Sequence, residues 1–288
     1  MNKILVMLLI AIVTTACGGG GGSGSNKVVE SPRVMIHPTN QTEFQEEVCG
    51  EKIWRLPDAV DPAYDTRWSG VPYRELKWVT SIRKDGGRSV ALLFVVDRPR
   101  GTVIYHQGHR GDVIHGYGTI KFFVESGYNV AAFAMPTESH SSLPLCSFVS
   151  PVLRFLNLDL VKPVFMVGIS GGGWTTSVVA AMTNKLTRSY PVAGTLPLDV
   201  HSNADGKRDW EQLEVARILG YRPLYRLAVQ GGITIYNDQD PCCFAINQEK
   251  ATSVFESVPY WKAVVVHNSK HSISKKALDI ILKDILKI

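Results

Sequence analysis

The sequence predicts an α/β fold: a mostly parallel eight-stranded sheet with helices on both faces. Three observations predict it. From Glu75 onward, short apolar runs alternate with amphipathic stretches, the pattern of strands joined by crossover helices. The first two runs, 75–83 and 89–96, meet at Asp85-Gly86-Gly87, a hairpin turn that makes an antiparallel sheet edge. Farther along, the apolar run Val164-Phe165-Met166-Val167 enters Gly168-Ile169-Ser170-Gly171-Gly172 and continues with the small residues Ser177, Ala180 and Ala181. That is a buried strand, a sharp turn and a helix packed close to the sheet.

The chain before this domain reads differently. Lys3 and the apolar run Ile4 to Val13 form a short signal peptide, residues 1–16, too short for a stop-transfer helix. Thr14-Thr15-Ala16-Cys17 resembles the lipobox of bacterial lipoproteins, although Thr14 stands where that family usually carries an aliphatic residue. The resemblance implies lipidation of Cys17, a membrane partner reached through that anchor, and a place in the bacterial cell envelope at the outer membrane. Residues 17–25 continue as glycine and serine, a flexible tether that suits an anchor. Residues 26–74, rich in Pro, Asp, Glu and Trp with little periodicity, read as an N-terminal extension wrapping the domain at 75–288.

Within that domain the elements follow in order. The two hairpin strands precede a third at 102–106, a helix at 116–126 and a strand at 129–134. A helix at 148–158 leads to the strand at 161–168 that delivers Ser170, and the helix after it runs to Met182. A strand at 191–198, a helix at 209–219, a strand at 233–236, a helix at 244–255, a strand at 262–267 and a closing helix at 273–285 complete the domain.

A serine at so tight a strand-to-helix turn needs small neighbours, and the first amides of the helix face whatever is bonded to it. That arrangement suits a nucleophile attacking a carbonyl. With its strand order and the two loops below, the segment 75–288 resembles the α/β-hydrolase family. The resemblance implies a serine hydrolase acting through an acyl-enzyme, most simply a carboxylic esterase with a small acyl-ester substrate and no cofactor. It assigns Ser170 as nucleophile and His271, in the loop after the last strand, as base. The acid is Asp240, past the penultimate strand, with Asp199 as second candidate and Asp238 as a competitor. His267, at the tail of its strand, is expected to bond locally. Asp240-Pro241 also has the chemistry of a helix opening. The oxyanion donors implied are the amide of Gly171 and one from the loop Tyr105-His106-Gln107-Gly108-His109, either Gln107 or His109.

Other classes fit less well. His106 and His109 form H-x-x-H with Asp112 and His115 nearby, but a zinc site there leaves the Ser170 turn without a task, so no metal is expected. No Gly-Lys-Ser/Thr follows the turn, and G-x-G-x-x-G is absent, which disfavours nucleotide and dinucleotide binding. A net charge of +5 without a basic stripe gives no support to nucleic acid binding. A serine peptidase of the same fold and a non-catalytic surface-binding lipoprotein are the alternatives. Only about forty residues separate Asp199 from Asp240, which leaves little for a large lid and favours small or exposed acyl groups, such as acetyl groups on sugars. Besides Cys17 there are Cys49, Cys146, Cys242 and Cys243. A bridge between adjacent cysteines is strained, so one from Cys49 or Cys146 to the Cys242-Cys243 pair is expected if they are bridged.

Overall fold

Residues 38–109, 111–138, 143–197, 199–200, 209–242, 244–267 and 269–288 are described in the computed structural model of the chain. Residues 1–16, Cys17, the 17–25 tether and Cys243 lie outside them. Among the described residues, nine strands form one sheet: β1 (Ala59–Pro62), β2 (Glu75–Ile82), β3 (Arg88–Val95), β4 (Thr102–Gln107), β5 (Asn129–Ala134), β6 (Val164–Ile169), β7 (Arg188–Val192), β8 (Gly232–Asn237) and β9 (Trp261–Val266). Their order is β1-β2-β3-β5-β4-β6-β7-β8-β9. Pairing is antiparallel from β1 through β3 to β5 and parallel from β5 to β9.

The sheet has one strand more than the eight expected. The extra strand is β1, whose residues are mostly exposed, so no alternation of apolar side chains announces it. Central β6 is buried at every position, as a strand covered on both faces must be. The hairpin turn forms as read: Gly86 has φ +82, and the amide of Gly87 donates to Asp85 Oδ1 at 2.9 Å.

Among the described residues, eight α-helices accompany the sheet: α1 (Gln41–Cys49), α2 (Tyr117–Glu125), α3 (Cys146–Phe155), α4 (Gly171–Met182), α5 (Trp210–Ile218), α6 (Tyr221–Leu227), α7 (Gln248–Phe255) and α8 (Lys275–Ile285). Helix α4 is buried throughout, with α1, α3 and α6 packed against it. Helix α8 shows the opposite pattern: Ala277, Leu278, Ile281 and Ile285 face inward, and Ser274 caps its first turn by accepting from the amide of Ala277.

Helix α1 gives the N-terminal segment a structural task. Asn40 accepts from the amide of Glu43 at its start, and Gly50 in the left-handed region ends it. Gln45 Nε2 donates to the carbonyl of Met182, and Gln41 Nε2 to those of Ala180 and Thr183, meeting acceptors that the end of α4 leaves open. Phe44 is fully buried.

A disulfide joins Cys49 of α1 to Cys146 of α3, across a sequence separation of 97. Closing a loop of that length stabilises a fold by about 2–5 kcal/mol. The expected bridge from one of these cysteines to Cys242-Cys243 is therefore overturned, because Cys49 and Cys146 occupy each other; Cys242 is disulfide-bonded separately.

Two further expectations change. The strand expected at 191–198 is instead β7, three residues earlier, paired so that Ile169 lies beside Val192. Ala193 has φ +43 and turns the chain out of the sheet. Thr195 then spends its polar groups on neighbouring elements, its hydroxyl on Ser177 of α4 and its carbonyl on Tyr236 Oη of β8. The helix expected at 244–255 begins at Gln248, capped by Asn247.

Candidate active site

The turn between β6 and α4 carries Ser170 at φ +56 and ψ −125, a backbone conformation rare for a residue with a side chain. Holding it costs on the order of 1–3 kcal/mol, and the surroundings enforce it. Its amide donates to the carbonyl of Val192 at 3.0 Å and its carbonyl accepts from the amide of Trp174 at 2.9 Å. Close backbone approach explains the glycines: a Cβ on Gly172 would lie 2.1 Å from the carbonyl oxygen of His106. The start of α4 is thus pressed against the end of β4, with its amides aimed past Ser170.

The loop after β4 meets the same turn. A Cβ on Gly108 would fall 2.8 Å from Ser170 Cβ and 3.4 Å from the amide nitrogen of Gly171, so only glycine permits this approach. The ring of His109 lies against Gly171: a Cβ there would come within 2.7 Å of its Cε1. Gln107 accepts through Oε1 from the hydroxyl of Tyr105. The loop that holds both candidate second donors is therefore in contact with the Ser170–Gly171 turn.

On the other side, β8 and β9 run parallel to β6 through β7, so their loops leave the same carboxyl edge of the sheet. Asp240 Oδ2 lies 2.8 Å from His271 Nδ1. The Asp240 side chain is fully buried and His271 is one-quarter exposed. Asp240 Oδ1 accepts from the amide of Cys242 at 2.8 Å, so it starts a turn rather than the helix its Pro241 suggested. Buried Asn237 donates from Nδ2 to the carbonyl of Ser272, and the amide of Gln239 donates to that of Ser269. These bonds stitch the acid loop to the histidine loop. Sequence reading missed Asn237, and an amide side chain at the end of a buried strand was the available signal.

The competing residues are placed elsewhere. Asp238 pairs with His267 at 3.1 Å on the exposed rim. Asp199 is mostly exposed and meets Arg222 through both carboxylate oxygens at 3.0 Å; this contact holds its carboxyl below the usual range. It does not end a strand, because β7 stops at Val192.

The H-x-x-H histidines also diverge in use. Buried His106 puts Nδ1 on the carbonyl of Gln107, and burial pushes its pKa down to about 4. His109 faces two acids, Glu211 at 2.8 Å and Asp209 at 3.8 Å, a group with the donor chemistry to hold a metal ion. Asp112 caps the turn at Val113–Gly116 and pairs with Arg67.

A cavity of about 710 Å³ opens beside this loop. Its wall mixes Trp78, Phe133 and Phe148 with Arg83, Arg88 and Glu138. Ser170 is not on the wall, but His109 is, and it touches Gly171.

No family model and no curated protein sequence matches the chain. Solved structures do. Acetyl xylan esterase 1 from a Thermoanaerobacterium species is 14% identical over 87% of this chain and 94% of its own, with a TM-score of 0.60. An esterase from Pyrococcus furiosus is 14% identical over 81% and 97%, at 0.59. Est1E from Butyrivibrio proteoclasticus is 17% identical over 73% and 98%, at 0.56. The mixed, mostly parallel sheet and these similarities define an α/β-hydrolase fold.

Proposed function

We propose that the chain is a serine hydrolase that cleaves carboxylic esters with small or exposed acyl groups through an acyl-enzyme. Ser170 attacks the carbonyl, His271 takes its proton through Nε2 and returns it to the leaving alcohol, and Asp240 holds the imidazole at Nδ1. The amide of Gly171, with one from Gln107 or His109, receives the oxyanion. Water then repeats the sequence and releases the acid.

The observation that carries this reading is the Asp240–His271 pair at 2.8 Å, on the same sheet edge as a serine held at positive φ. The charged residues in the 710 Å³ cavity favour a polar substrate over a long acyl chain. Sugar esters fit that chemistry, and acetyl xylan esterase is among the fold neighbours.

A fluorophosphonate probe tests the nucleophile. Mass spectrometry of the probed protein should find the adduct on Ser170, and folded protein left unmodified overturns the proposal.

The leader read from sequence extends the proposal to location: an outer-membrane protein held by lipidated Cys17. Cys17→Ser should move the protein from the membrane fraction to the soluble fraction, and membrane retention of that variant overturns it.

A further inference from the structure

Two histidine–carboxylate pairs with a fully buried acid lie at the carboxyl edge of the sheet that carries Ser170, and the function proposed above uses only one. The second is His109 with Glu211. His109 follows Gly108, whose backbone presses on Ser170, and its ring covers Gly171. Cε1, Nδ1 and Nε2 all lie within 2.7–3.1 Å of where a Gly171 Cβ would stand. Glu211 Oε1 is 2.8 Å from Nε2, and Asp209 Oδ2 is 3.8 Å from Nδ1. The acids approach different ring nitrogens, so the ring is clasped on both sides.

The two acids differ in environment. The Asp209 side chain is half exposed, where a charge pair contributes little. The Glu211 side chain is fully buried, where a carboxylate is costly unless paired. Glu211 sits in the first turn of α5, on its inward face with Gln212 and Val215. Helix α5 belongs to the β7–β8 connection, whereas His109 belongs to the loop after β4. The contact therefore ties the loop beside Ser170 to a distant part of the chain. With the ring held between Glu211 and Gly171, residues 108–109 cannot swing away from Ser170 without breaking the contact to the buried Glu211 side chain. Oxyanion donors work only if they are in place before the charge develops.

We propose that Glu211 is a positioning residue for the oxyanion loop and acts on it through His109. This rests on the Ser170 reading and deepens it. The test is steady-state kinetics of the mature protein on p-nitrophenyl acetate, with thermal melts, for Glu211→Gln, His109→Ala, His109→Gln and the double variant His109→Ala/Glu211→Gln. Glu211→Gln should lower kcat by about 10–100-fold with KM within about threefold. The double variant should be no slower than His109→Ala alone, because each change breaks the same link. His109→Gln, which keeps a donor near the Nε2 position, should recover most of the rate lost in His109→Ala.

A folded Glu211→Gln with kcat within about twofold of wild type overturns the proposal, as do losses that multiply in the double variant. If Glu211→Gln does not fold, the two His109 variants decide: equal rates in both overturn it. Ser170→Ala distinguishes the two levels. Wild-type turnover in that variant overturns both readings, whereas an inactive Ser170→Ala beside an unaffected Glu211→Gln overturns only the role of Glu211.

Discussion

Ser170→Ala is expected to lower turnover of short p-nitrophenyl esters by about 10⁴–10⁶-fold, with the melting temperature unchanged. The loss is large because, in the proposed mechanism, the Ser170 hydroxyl oxygen is what becomes acylated. The fold should persist because alanine fits the same space and the same backbone. Ser170 holds φ +56 through bonds of its own main chain, from its amide to Val192 and from Trp174 to its carbonyl, and alanine keeps both. Alanine also keeps the strain, so the variant gains no stability from losing the hydroxyl. A residual rate above water should remain from the oxyanion amides and substrate binding. Initial rates, a burst assay and a thermal melt on both proteins check this. Equal rates for the two would leave a protein that uses the fold only to bind.

The features legible in sequence were those whose physics is local. The Ser170 turn needs contiguous residues, and Gly172 is required by a carbonyl that any strand-to-helix turn of this kind brings close. The alternation of elements gave the parallel half of the sheet. What escaped had no local signal. In α1 the buried positions are Phe44, Gln45 and Cys49, and a glutamine that faces inward to reach the end of α4 looks like surface. Strand β1 exposes most of its residues and exists through its pairing with β2. The run Thr195-Leu196-Pro197 has a strand's composition, yet the chain turns at Ala193, whose φ is positive and whose amide still bonds the carbonyl of Ile235 in β8. Glu211 is the sharpest case. Its helix was foreseen from periodicity, but an acid on the buried face has meaning only beside His109, which the chain supplies from another connection. His271 and Asp240 were placed by chain order in a resembled family, and the fold brings their side chains into contact.

Asp240→Asn should lower kcat by on the order of 10³–10⁴ while leaving KM and stability nearly unchanged. Asparagine keeps an oxygen that can accept from the amide of Cys242, so the turn that presents residue 240 survives. The change falls on the other arm. The carboxylate oxygen at 2.8 Å from His271 Nδ1 becomes an NH₂ group, which donates where Asp240 accepted. His271 must then keep Nδ1 unprotonated to receive that donor, which places its proton on Nε2. In that tautomer Nε2 has no lone pair to take the proton of Ser170. The imidazolium formed during attack also loses a fully buried negative partner. Asp199→Asn is the matched control: its carboxylate meets Arg222 on the surface, so its effect should stay within about twofold. Rate measurements on both variants discriminate sharply, because an Asp199→Asn loss larger than that of Asp240→Asn would move the acid to the β7 side and dissolve the pairing on which the proposed chemistry depends.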